Sequence, residues 1–131
     1  ESDTVNYGKC LVTMASCYTC HTNVDKGKPI PGMDFAGGRE FPMPTGGVVS
    51  SANITPDNAT GIGKWSKEDF IRRFKIFTDS SYHAAKIEKG EFNTIMPWTS
   101  FCGMTEQDLG AIYAYLRTLK PIHHEVVKFK K

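Results

Sequence analysis

The chain has 131 residues, 40% of them hydrophobic and 23% charged, with a formal net charge of +2. That is one domain's worth of ordinary globular composition, large enough for a modest core. The charge is too small to argue for nucleic acid, and no apolar run approaches the ~20 residues of a membrane span.

The chain opens ESDTVNYGK, with neither a basic start nor an apolar run. A trimmed mature chain and a cytosolic one look alike at this point. A first helix is expected near residues 4–20. Leu11, Ala15 and Tyr18 fall there at helical spacing, and Gly8 leaves room for a close backbone contact. Its end carries KCLVTMASCYTCH, which places Cys10, Cys17 and Cys20 within eleven positions, with His21 directly after; the fourth cysteine, Cys102, lies far downstream.

CYTCH has four readings. Zinc wants a second ligand pair at a short spacing, which Cys10 and Cys102 do not provide. A thioredoxin-like CxxC wants a βαβ setting and a helix N-terminus, whereas this one sits near the end of a predicted helix. Plain structural cysteines match by chance. Covalent haem attachment explains the spacing itself: two thiols add to the two vinyl groups on one porphyrin edge, and the next residue offers its imidazole to the iron.

Residues 27–64 follow, with eight Gly and five Pro. So long a loop inside a compact domain needs something functional to organise it, and a large buried cofactor would do so. No strand with sustained alternation is visible, so the expected class is all-α. A second helix begins at WSKEDFIRRFKIF, where Ser66 and Asp69 form a capping box and Phe70, Phe74 and Phe77 share a stripe. The third begins at TEQDLGAIYAYLRTLKP, capped by Thr105 and Asp108 and stopped by Pro121.

Five methionines compete for the other axial position. Met14 and Met104 read as packing, and Met33 and Met43 as loop residues against the porphyrin. Met96 stands in NTIMPWTSF, where Pro97 holds it extended just before the last helix. It is the expected sixth ligand. His83 is the runner-up, followed by His123 and His124 in a basic tail, HHEVVKFKK, that looks solvated or surface-docked. A closed His/Met site favours electron transfer, and the thioether raises the potential; an open or labile sixth site would instead permit sensing or peroxidase chemistry.

CYTCHT, SANITPDNATGIGKWSKEDFIRRFK, IMPWTSF and MTEQDLGAIYAYLRTLKPI together resemble the class I cytochrome c family, over roughly residues 7–122. They are especially similar to the cytochrome c domains of bacterial membrane-associated alcohol and aldehyde dehydrogenases. The resemblance implies the class I cytochrome c fold, with helices around a covalently bound haem and long Gly/Pro-rich loops. The dehydrogenase subunits usually carry several haem domains and a membrane anchor, whereas the one CxxCH here leads to the expectation of one haem c in a single domain, 1–131, with a basic tail over 121–131. Cys17 and Cys20 would be the thioether attachments, and His21 and Met96 the axial ligands. The carbonyl of Pro29 or Pro31 would accept the second imidazole N–H. Trp65 would lie near the haem propionates, with Asn53 and Arg39 as weaker propionate partners.

The implied function is one-electron transfer outside the cytoplasm, between a donor such as a dehydrogenase and an acceptor such as a terminal oxidase or another cytochrome. No substrate chemistry is implied. Lys9, Lys26 and Lys28 would steer an acidic partner. Residues 78–91 look longer than the family's usual connection, and Cys10 and Cys102 are not part of its pattern. In an exported protein two spare cysteines invite a disulfide, and a Cys10–Cys102 bridge would be worth about 4 to 5 kcal/mol by chain entropy, less once haem constrains the chain.

Overall fold

In the computed structural model, which describes residues 2–44, 46–76 and 96–130, the first predicted helix is two. Helix α1 (Ser2–Met14) and helix α2 (Cys17–His21) are separated at Ser16, whose backbone is left-handed at φ 61°, ψ 31°. A non-glycine residue pays roughly 1–2 kcal/mol for that conformation. The turn lets CYTCH leave the axis of α1 and start a new helical turn, with the Cys20 N–H bonded to the Ser16 carbonyl at 3.2 Å. Met14, expected in the core, is 76% exposed at the end of α1.

The two capping boxes form as the sequence predicts. Both arms of the Ser66/Asp69 pair start α3 (Lys67–Lys75), and both arms of Thr105/Asp108 start α5 (Glu106–Leu116). Helix α3 buries Phe70 and Phe74; Phe77 lies outside the described residues, as do His83 and the segment 78–91. A short helix, α4 (Trp98–Phe101), precedes α5. Helix α1 packs across α5, backbone against backbone, at Gly8 and Ala111. Val12, Phe35, Ile62, Phe70, Phe74, Leu109, Ile112 and Leu116 form the core between the helices and the long loop.

The fold is not all-α. Strands β1 (Val24–Asp25) and β2 (Lys28–Pro29) form a hairpin; β3 (Glu40–Pro42), β4 (Val48–Ser50) and β5 (Phe129–Lys130) form an antiparallel sheet in the order β3-β4-β5. Each strand has two or three residues, too few for a period of two to show in the sequence. The basic tail is docked: residues 122–130 run back along the long loop and end as β5 against Val48 and Val49.

Candidate functional site

Helix α2 and the loop before α4 deliver their side chains to one cavity of about 500 Å³, within the usual range for cofactor sites. Cys17, Cys20, His21 and Met96 all line it. Phe41, Val49, Pro97 and Phe101 supply much of its apolar wall. Two cationic side chains, Arg73 and Lys128, also reach it. Neither stands in a motif that would single it out.

His21 is gripped at both ends. Its carbonyl accepts the Gly37 N–H at 2.7 Å, and its ring Nδ1 lies 2.7 Å from the Ala52 carbonyl oxygen. A carbonyl can only accept, so Nδ1 carries the proton and Nε2 keeps its lone pair, the tautomer a metal ligand requires. Burial lowers the His21 pKa, and the bond to Ala52 only partly opposes it. The imidazole is therefore neutral at physiological pH.

The acceptor is Ala52, where Pro29 or Pro31 was expected. Both prolines are exposed, carried outward on or beside the β1–β2 hairpin. Gly37 makes the observed arrangement possible, because a Cβ there would sit 2.4–2.5 Å from Ser51 and Ala52 backbone atoms. At φ +75° it also holds a conformation that favours glycine.

Cys17 is not poised as a redox thiol. Burial pushes the Cys17 pKa up to about 11, opposite to the lowered value such chemistry needs. Met96 is half-buried at the cavity wall. The carbonyl of the next residue, Pro97, accepts the Ser100 and Phe101 N–H groups and so anchors the start of α4.

Several expected partners lie elsewhere. Asn53 is 4% exposed, and its amide is spent on Thr60 and on the carbonyls of Ile122 and His124. Arg39 donates to the Thr19 carbonyl at 2.8 Å and stacks over Phe41, behind the cavity wall. Trp65 sits in an adjoining groove with Asp69, Arg72, Arg73 and Ile76, and only Arg73 is shared with the main cavity. His123 is exposed beside Asp57, and the His124 ring donates to the Ala36 carbonyl at 2.9 Å. Neither histidine reaches the cavity. No disulfide joins Cys10, exposed on α1, to Cys102, so the expected bridge is not formed.

Two thiols at CxxC spacing, a neutral imidazole with Nε2 available, a thioether and apolar walls are a donor set that fits a covalently bound haem. The sequence profile of the cytochrome c family matches residues 5–120. The chain belongs to the cytochrome c family.

Among its relatives are other cytochromes of that kind. The cytochrome c subunit of a quinone alcohol dehydrogenase from Gluconacetobacter polyoxogenes is 32% identical over 93% of this chain and 23% of its own length. The gluconate 2-dehydrogenase cytochrome c subunit of Pantoea cypripedii is 33% identical, over 85% of this chain and 22% of its own. A diheme cytochrome c-type protein of Cereibacter sphaeroides is 26% identical, over 87% of this chain and 36% of its own. The chain thus spans about a quarter of the length of the dehydrogenase subunits it matches. A cytochrome c family member carries covalently bound c-type haem and serves electron transfer. No helix among the described residues is long and apolar enough to cross a membrane.

Proposed function

We propose that this cytochrome is a one-electron carrier with one haem c, bound through Cys17 and Cys20 and ligated by His21 and Met96. It acts outside the cytoplasm, and residues 1–131 form one monohaem domain. The observation that carries the reading is the cavity that collects these four side chains, with the His21 tautomer already set by Ala52. The one CxxCH in the sequence supports a single haem.

The bound haem supplies the Fe(II)/Fe(III) couple. The protein holds the imidazole neutral and fixed, offers a thioether as second ligand, and keeps water from the apolar wall formed by Val49, Phe41 and Phe101. With His21 and Met96 both on the iron, the haem would offer no open position to a substrate, and the reading is a non-enzymatic carrier. Donor and acceptor are redox proteins, a dehydrogenase being the donor favoured by the names of the relatives. Lys26 and Lys28, exposed on the β1–β2 hairpin, and Lys9 on α1 are suited to steer an acidic partner.

The optical spectrum of the haem-bearing protein tests this. A low-spin ferric haem with the weak methionine-to-iron charge-transfer band is expected. A high-spin spectrum, or ready carbon monoxide binding by the reduced form, would overturn the carrier in favour of a sensor or peroxidase-like protein.

A further inference from the structure

The docked tail and the proximal histidine meet through one buried residue. The Oδ1 of Asn53 accepts from the Thr55 N–H at 2.9 Å and the Thr55 hydroxyl at 2.7 Å. Its Nδ2 donates to the Ile122 carbonyl at 2.8 Å, the Thr60 hydroxyl at 3.2 Å and the His124 carbonyl at 3.3 Å. The tail, a strap over residues 122–130, answers with its own donors: the Ile122 N–H reaches Thr55 Oγ1 at 3.1 Å, and the His124 N–H reaches Thr60 Oγ1 at 3.0 Å.

The residue directly before Asn53 is Ala52, the acceptor for His21. On the other side of Ala52 the strap continues, with the Ser50 N–H donating to the Lys128 carbonyl at 2.9 Å. The segment bearing the acceptor is thus clamped to the same strap on both flanks.

We propose that Asn53 is a positioning residue for the axial imidazole: by latching the strap to the 52–60 loop it holds the Ala52 carbonyl on His21 Nδ1 and so sets the reduction potential. The assignment rests on the haem reading above. A firm bond from Nδ1–H makes the imidazole a stronger donor and favours ferric iron. Loosening it favours ferrous iron, so the potential rises. Simple loosening of the pocket works the other way, since admitted water stabilises the charged ferric site and lowers the potential. The sign of the shift therefore separates a positioning role from a structural one.

The experiment measures midpoint potentials of the haem-bearing wild type, Asn53→Ala, Thr60→Val and, as a control, His123→Ala. His123 is exposed on the same strap and outside the latch. Thr60→Val is the milder change, removing the acceptor of the His124 N–H, one of the three Asn53 Nδ2 contacts and the hydroxyl's bond to Asp57 Oδ2. Both latch variants are expected to shift the ferric/ferrous equilibrium toward ferrous by about threefold to tenfold, tenfold being about 59 mV for one electron. Exchange of the His21 Nδ1 proton in the reduced protein should quicken in both, and the control should match wild type. Unchanged or lowered potentials in both variants, with only stability lost, overturn the assignment alone. A wild type with no histidine-ligated c-type haem overturns the carrier reading and this assignment with it.

Discussion

Gly8 on α1 meets Ala111 on α5 so closely that a Cβ at position 8 would stand 1.9 Å from the Ala111 carbonyl oxygen. Gly8→Ala gains about 1 kcal/mol of helix propensity, but the two helices must separate to admit the methyl group. A net loss of about 1–3 kcal/mol is expected, seen as a lower urea midpoint with unchanged slope. The haem spectrum in the folded state should not change, because this crossing lies away from the cavity.

One turn from that crossing, the Tyr7 hydroxyl donates to Asp108 Oδ1 at 2.6 Å, while Asp108 also caps α5. The Tyr7 hydroxyl and the Thr105 N–H hold the Asp108 carboxyl below its ordinary value. Asp69 is held low by its bonds to Ser66, and Asp57 by its bonds to Thr60. A carboxylate with a depressed folded pKa stabilises the fold above its unfolded value of 3.8, and that contribution is lost as pH falls through the folded pKa. Unfolding midpoints should therefore be nearly flat down to about pH 4 and drop below it. Asp108→Asn should flatten part of that drop. Thr105→Ala, which removes the cap itself, should cost about 1 kcal/mol at neutral pH.

Ser16→Gly should raise the thermal midpoint, because glycine occupies the left-handed position without the roughly 1–2 kcal/mol that serine pays. Ser16→Val should lower it by at least as much. A Gly variant less stable than wild type would mean that the serine side chain matters more than its backbone.

Met96→Ala should abolish the methionine-to-iron band and admit carbon monoxide to the reduced protein. The potential should fall as the thioether is lost. The companion measurement, pyridine haemochrome, should be unaltered, because Cys17 and Cys20 are intact.

A thiol titration of denatured, unreduced holoprotein should find two reactive groups, Cys10 and Cys102, which no disulfide joins in the structure. Finding none would restore the bridge between them.

What was legible in the sequence was local. The capping boxes at Ser66 and Thr105 each lie within four residues, and CYTCH states its chemistry in five. The break at Ser16 had no such signal, because serine carries none of the left-handed bias of Gly or Asn. Ala52 acts through a backbone carbonyl, which has no signature in any sequence. The partners of Asn53 are hidden for a related reason: an amide suited to a carboxylate is equally suited to peptide carbonyls, and those of Ile122 and His124 reach it only through the fold. Strand β5 has two residues and acquires meaning only beside Val48 and Val49.

The latch joins positions 69 and 71 residues apart in the chain. Contacts of such separation form late, because the loop they close must be ordered first. Until residue 128 has been synthesised, the segment bearing Ala52 lacks its full clamp, although CYTCH has long been available. Thioether formation can thus precede the final setting of the proximal hydrogen bond. A nascent chain interrupted before the strap would present the attachment motif with its imidazole not yet oriented.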